Sequence, residues 1–301
     1  MSGHDLGASV RQRLLNQSRA QNRSFQELLQ YFAMERFLYR LAKSPYADRF
    51  ILKGALLLTA WRAPVSRPTM DIDLAGRTNN QLDNIKDVVS AVCDLGVDPD
   101  GVEFNRDSME LSRIKEDADY EGVRVQFHAT LARARIPMQL DIGFGDVITP
   151  DPTEIEYPTM LDFPAPVLRA YPKEAVVAEK LEALTTLGLL NSRIKDYYDL
   201  ALLSRMYPFD GGRLADAIVA TFRNRRTKVE AEPIGLTQAY SNDPARALQW
   251  RAFVRRSRFG EESGDLTRLT DEIRPFVLPV LSKIADNNPF NTRWKPGGPW
   301  E

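Results

Sequence analysis

The spacing of apolar residues divides the chain into a helical start, a run of strands and a helical end. Residues 7–22 are rich in Arg and Gln and predict a first helix. Ser24 with Glu27 three residues later has the form of a capping box. Phe25, Leu28, Leu29, Phe32, Phe37, Leu38 and Leu41 then recur on one face of a helix reaching about Ala42. Leu82, Ile85, Val88, Val89 and Val92 predict another helix over 79–94, with Gly96 at its end. Between 101 and 147 the period drops to two. Gly101–Phe104 predicts a short strand. Val123, Val125 and Phe127 alternate with Arg124, Gln126 and His128. Met138, Leu140 and Ile142 alternate with Gln139 and Asp141 in a strand from Ile136 to Gly145. Helical spacing returns at Lys173–Leu187, which Gly188 ends, and continues through most of 211–301. Pro150, Pro152, Pro158, Pro164, Pro166 and Pro172 crowd the stretch 148–172. That stretch reads as a connection between residues 1–150 and a helical half, 151–301. The tail from Asn287, with its Pro and Gly, is expected to be partly loose.

Composition narrows the classes. The 301 residues are 43% hydrophobic and 27% charged, an ordinary globular balance. Lys plus Arg number 40 and Asp plus Glu 41, so any nucleic-acid contact must come from local patches rather than a global field. Two such patches stand out: Arg223, Arg225, Arg226 and Lys228, and Arg251, Arg255, Arg256 and Arg258 interleaved with Trp250, Phe253 and Phe259. The one cysteine, Cys93, excludes a disulfide framework and a cysteine-rich zinc site, and its apolar surroundings predict a buried thiol. No signal peptide or membrane span is read, so a cytoplasmic protein is expected.

The chemistry concentrates between Phe50 and Leu74. A glycine turn at Gly54 precedes a short apolar helix from Ala55 to about Trp61, and such a turn offers backbone N–H groups to a phosphate. A loop from Ala63 to Thr69 leads to Met70-Asp71-Ile72-Asp73-Leu74. Read as a strand, this puts Met70, Ile72 and Leu74 on one face and both carboxylates on the other, where they can share a hard cation such as Mg²⁺. An Asp-x-Asp pair alone is equally a common surface pattern. Asp141, alone on the polar side of its strand, reads by itself as a solvated carboxylate, and Lys180 as a solvated helix lysine.

Lys53-Gly54-Ala55 followed by Arg67-x-x-x-Asp71-Ile72-Asp73-Leu74 resembles the first motif of the AbiEii/AbiGii-type toxin nucleotidyltransferases, the group that includes the MenT toxins, within the DNA polymerase β-like superfamily. Arg193-Ile194-Lys195-Asp196-Tyr197-Tyr198-Asp199 resembles the family's last motif. The family's turn carries Gly-Ser or Gly-Gly-Thr; Gly54-Ala55 keeps the backbone contact without the hydroxyl. The resemblance implies an α/β (α+β) polymerase β-like core with a mixed sheet and a mostly helical C-terminal domain. It implies two Mg²⁺ ions on Asp71 and Asp73, with Asp141 completing the site, and an NTP substrate. Lys53, Gly54, Ala55, Arg67, Lys180, Arg193 and Lys195 would contact the nucleotide, with Lys180 neutralising the triphosphate. Asp196 would orient Lys180 or act on the attacking hydroxyl. Read from the residues, Tyr197 and Tyr198 could stack on a base or fill the core, with core the expectation for one of them. The resemblance further implies a bacterial toxin–antitoxin setting, an antitoxin partner, and tRNA as acceptor, its modification blocking aminoacylation. Two other readings are a transferase acting on protein or an aminoglycoside-like small molecule, and a non-catalytic nucleic-acid-binding module.

Overall fold

A computed structural model describes residues 3–63, 67–117, 120–257 and 264–301. The chain forms two compact units, one of residues 1–145 with 153–170 and one of 146–152 with 171–301.

The first unit is a mixed seven-stranded sheet with helices. Its elements are α1 (Gly3–Gln21), α2 (Phe25–Lys43), β1 (Phe50–Lys53), α3 (Leu56–Ala60), β2 (Ile72–Gly76), α4 (Leu82–Cys93), β3 (Val102–Asp117), β4 (Tyr120–Leu131), β5 (Ala134–Phe144), β6 (Thr153–Glu156) and β7 (Val167–Ala170). The strand order is β3-β4-β5-β2-β1-β7-β6. β2 runs parallel to β5 and antiparallel to β1, so two strands distant in sequence lie side by side at the centre. The period-two alternation holds: Val123, Val125, Phe127, Met138, Leu140, Ile142, Ile72 and Leu74 are all buried. Phe37 of α2 meets Phe127 at 5.8 Å between ring centroids and Phe104 at 5.7 Å, which seats α2 on that apolar face. Cys93 is buried as expected, and burial pushes its thiol up to about 12.

Several expectations are corrected. Ser24 makes no side-chain cap; Glu27 pairs instead with Arg23 at 2.7 Å. The apolar stripe of α2 is embedded rather than one-sided, because Leu28 through Leu41 are buried without a break. Its polar members are satisfied by distant backbone and charge: Arg40 bonds Asp100 at 2.7 Å and Glu35 accepts the Met160 N–H at 2.7 Å. The short strand at Gly101–Phe104 is the start of a 16-residue one, bulged between Asn105 and Glu110. The helix over 79–94 closes at Cys93, ahead of Gly96. The Pro-rich stretch is more than a connection, since β6 and β7 within it extend the first unit's sheet.

The second unit is mostly helical: α5 (Lys173–Leu187), α6 (Ile194–Met206), α7 (Gly211–Asn224), α8 (Gln238–Ser241), α9 (Pro244–Ser257) and α10 (Leu266–Ala285), with β8 (Phe209–Asp210) pairing β9 (Arg293–Trp294). Gly188 ends α5 at φ 50°. The tail is held, not loose: Trp294 is buried, and Trp300 stacks on Phe276 at 5.9 Å and donates its indole N–H to the Phe276 carbonyl. Both tyrosines of the last motif are core. Tyr197 stacks on Tyr240 at 4.9 Å and Tyr198 packs edge-on against Phe253. Among the described residues no helix is long and apolar enough to cross a membrane.

Candidate active site

Cross-strand partners in a sheet share a face. The register therefore lays one row of side chains across four strands: Lys53 opposite Asp73, Asp73 opposite Asp141, and Asp141 opposite Arg124. Two carboxylates stand between two cations. Asp71 joins them from the approach to β2. It lies one residue before the strand, so the strand predicted from Met70 begins later, and Met70 is 51% exposed instead of facing the core. Asp71 is fixed by the Thr69 hydroxyl, which donates to its Oδ1. Asp71, Asp73 and Asp141 each bring a carboxylate oxygen within 4.8 Å of the others. An all-oxygen set of this charge suits a hard cation such as Mg²⁺ or Mn²⁺ and not zinc.

Gly54 sits against this row. Its φ is +75°, and a Cβ added there would stand 1.8 Å from Asp73 Oδ2. The position demands glycine twice, for its left-handed backbone and for the room Asp73 takes. α3, which follows the turn, is five residues long. Lys53 and Arg67 are both buried to 8% exposure. Residues 64–66 of the intervening loop lie outside the described residues.

Arg124 is the site residue that the sequence reading missed. Its Nε donates to Asp141 Oδ1 at 2.8 Å and its Nη2 to Oδ2 at 2.7 Å, a bidentate pair. This hydrogen bonding, with the charge of Asp141, Asp71 and Asp73, raises the Arg124 pKa above its usual value. Gln139 Nε2 adds a 3.2 Å bond to Asp141 Oδ2. In the sequence Arg124 was only the polar side of an alternation, and its role needs the β4–β5 register to be seen.

The second unit holds a separate charged cluster. Lys180 Nζ on α5 donates to Asp196 Oδ1 and to Asp199 Oδ2 on α6, both at 2.8 Å. Arg193 Nε donates to Asp196 Oδ2 at 2.6 Å. Burial of Asp196 opposes its ionisation, yet Lys180 and Arg193 outweigh it and hold the carboxyl below the usual range. The sequence reading placed Lys180, Arg193 and Asp196 together; Asp199, to which it gave no role, is the second anchor of Lys180. Lys195 is exposed. The basic patches come apart. Arg225 is committed to Glu182 at 2.9 Å and Asp146 at 3.3 Å, while Arg223, Arg226 and Lys228 are exposed. Arg251, Arg255 and Arg256 are exposed and Trp250 is buried; Arg258 and Phe259 lie outside the described residues.

A mixed sheet thus carries two acidic residues at the head of one strand, a third in register on the next, and a glycine turn against them, a set able to hold a divalent cation. The chain belongs to the nucleotidyl transferase AbiEii toxin family of type IV toxin–antitoxin systems, whose model matches residues 36–276. It is similar in fold to MenT4, a nucleotidyltransferase toxin from Mycobacterium tuberculosis H37Rv, at 17% identity over 93% of this chain and 98% of that one, with a TM-score of 0.50. A crystal structure of JHP933 from Helicobacter pylori is similar at 17% identity over 88% of this chain and 95% of that one, with a TM-score of 0.49. No curated protein matches. The resemblance read from the motifs, the α/β nucleotidyltransferase fold and the enzyme class are thereby borne out.

Proposed function

We propose that the protein transfers a nucleoside monophosphate from an NTP to a hydroxyl of RNA, with the 3′ end of tRNA as acceptor, so that translation and growth stop until a cognate antitoxin counters it. The observation that carries this reading is the convergence of Asp71, Asp73 and Asp141 beside Gly54, inside a toxin nucleotidyltransferase family. In the reaction the acceptor oxygen bonds to the α-phosphorus while the bond from that phosphorus to the pyrophosphate oxygen breaks; pyrophosphate leaves and the hydroxyl proton passes to solvent water.

The residues divide the work by chemistry. Asp71 and Asp73 would hold Mg²⁺, with Asp141 as a third ligand. Bound there, Mg²⁺ supplies Lewis-acid charge neutralisation at the phosphates and acidifies the attacking hydroxyl. Asp141, gripped by Arg124 and Gln139, orients the acceptor. The backbone at Gly54–Ala55 contacts phosphate, with Lys53 and Arg67 adding charge to that side. Lys180, held by Asp196 and Asp199, and Arg193 and Lys195 with it, are assigned to charge on the triphosphate and the departing pyrophosphate. Asp196 is the positioning residue of this set.

The test is incubation with total RNA, Mg²⁺ and each labelled NTP in turn, beside Asp73→Asn. The amide keeps the carboxylate's shape and removes its charge, so label in RNA should fall by at least about a hundredfold with the fold intact. Near wild-type turnover of Asp73→Asn in saturating Mg²⁺ would remove the metal reading. Label in protein or in a small molecule would replace the RNA acceptor.

A further inference from the structure

Next to the carboxylate row on the first unit's sheet lies a cavity of about 320 Å³. It is lined by Gln126 and His128 of β4, Gln139 of β5, Ser108 and Glu110 of β3, and Met70 ahead of β2, among others. The bulge between Asn105 and Glu110 shapes its far wall. Gln30 of α2 closes it, donating to the carbonyls of Pro137 at 2.6 Å and Met70 at 3.4 Å. Gln30 is 1% exposed, and among the described residues its buried Oε1 has no hydrogen-bond partner.

The lining says what the cavity can hold. Among the described residues no Lys or Arg lines it, and Glu110 does, so it is unsuited to a triphosphate. Amides, a hydroxyl and an imidazole give donors and acceptors for the edge of a planar ring, and the exposed Met70 thioether gives a soft surface for its face. Ligand pockets span ~300–1,000 Å³, so this one has room for a single nucleoside. Single-stranded RNA ends are recognised in this way, by stacking and by bonds to base edges.

The cavity is also wired to the site. Gln126 Nε2 donates to Gln139 Oε1 at 3.1 Å, and Gln139 Nε2 donates to Asp141 Oδ2 at 3.2 Å. Asp141 only accepts, which fixes the direction of the whole relay. A base bonded to Gln126 therefore acts on the orientation of Asp141.

We infer that this cavity binds the base of the acceptor's 3′-terminal nucleotide in a single-stranded RNA end, and that Gln126 is the specificity-determining residue reading it. This rests on the RNA-acceptor reading above. It separates that acceptor from the donor NTP, whose phosphates are assigned to the Gly54 turn with Lys53 and Arg67.

The test is direct binding, independent of turnover. Four short single-stranded RNAs differing only in the 3′-terminal base are titrated by fluorescence anisotropy against the full chain, Gln126→Leu and Gln126→Trp. Gln126 is exposed, so both variants should fold, which circular dichroism checks. The wild type should rank the four RNAs over a range of about tenfold. Both variants should bind the preferred RNA about tenfold more weakly and lose the ranking, with NTP binding unchanged. Equal binding of all four RNAs by the wild type, no binding, or a ranking the variants keep overturns the inference. A change confined to NTP binding overturns it too and gives the cavity to the donor base. Ranked binding without label transfer to RNA would sink the proposed reaction and leave the cavity assignment standing.

Discussion

A single added carbon at Gly54 would stand 1.8 Å from Asp73 Oδ2, on a backbone already at φ +75°. Gly54→Ala should therefore cost about 1–3 kcal/mol of stability and also push Asp73 off the row. Urea unfolding and Mn²⁺ titration check both effects; unchanged Mn²⁺ affinity would show that Asp73 does not need this glycine. Arg124 sets up an opposite outcome. Its bidentate grip on Asp141 neutralises one of three clustered carboxylates. Arg124→Ala should tighten Mn²⁺ binding on the order of tenfold, or ~1.4 kcal/mol, while slowing transfer because Asp141 is no longer held. Weaker Mn²⁺ binding would contradict this. At this scale the sequence disclosed the acids and the glycine, because Asp-x-Asp and Lys-Gly are local patterns. It could not disclose Arg124, whose partner lies 17 residues away across a hairpin register.

Among the elements, α5 is legible from its spacing and from Gly188 at its end, whereas α6 was not predicted, and the ion cluster the two carry was anticipated only through the family resemblance. Lys180 to Asp196 and Asp199 is a tertiary pairing at 2.8 Å, invisible to helical periodicity. Asp196 is buried and held below the usual carboxyl range despite that burial. A depressed folded value means that the ionised group adds stability above the ordinary value of ~3.9, and that this is lost as the pH falls through and below it. Asp196→Asn should cost roughly 3–5 kcal/mol near neutral pH, since it strands Lys180 beside one carboxylate. Its melting temperature should also fall less than that of the wild type between about pH 5 and pH 3. Parallel curves would mean that Asp196 titrates alike folded and unfolded. α2 shows the converse limit. Its apolar stripe was readable, whereas the burial of Glu35, Arg36 and Arg40 depends on what wraps the other side.

Over the whole molecule, net charge near zero leaves any nucleic-acid contact to local patches, and the structure divides the two that the sequence offers. Arg225 is spent on Asp146 and Glu182, while Arg251 and Arg255 are exposed one turn apart on α9. Reversing Arg251 and Arg255 to Glu should weaken binding to all tRNAs alike and reduce the salt slope by roughly one unit per lost phosphate contact. An unchanged slope would make this face merely solvated. The division of the chain was only partly legible, because a Pro-rich stretch looks the same whether it links or, as here, carries the edge strand β6 and its neighbour β7. The carboxylate row needed less foresight, since Asp73 and Asp141 lie on strands whose alternation is local. The most direct measurement of the central claim is the fate of label from α-³²P NTPs incubated with this protein, Mg²⁺ and total RNA. Label in the tRNA band, abolished by chelation and by Asp73→Asn, is the predicted result. Label recovered only in protein or small molecules, or label in RNA that persists in Asp73→Asn, would contradict it.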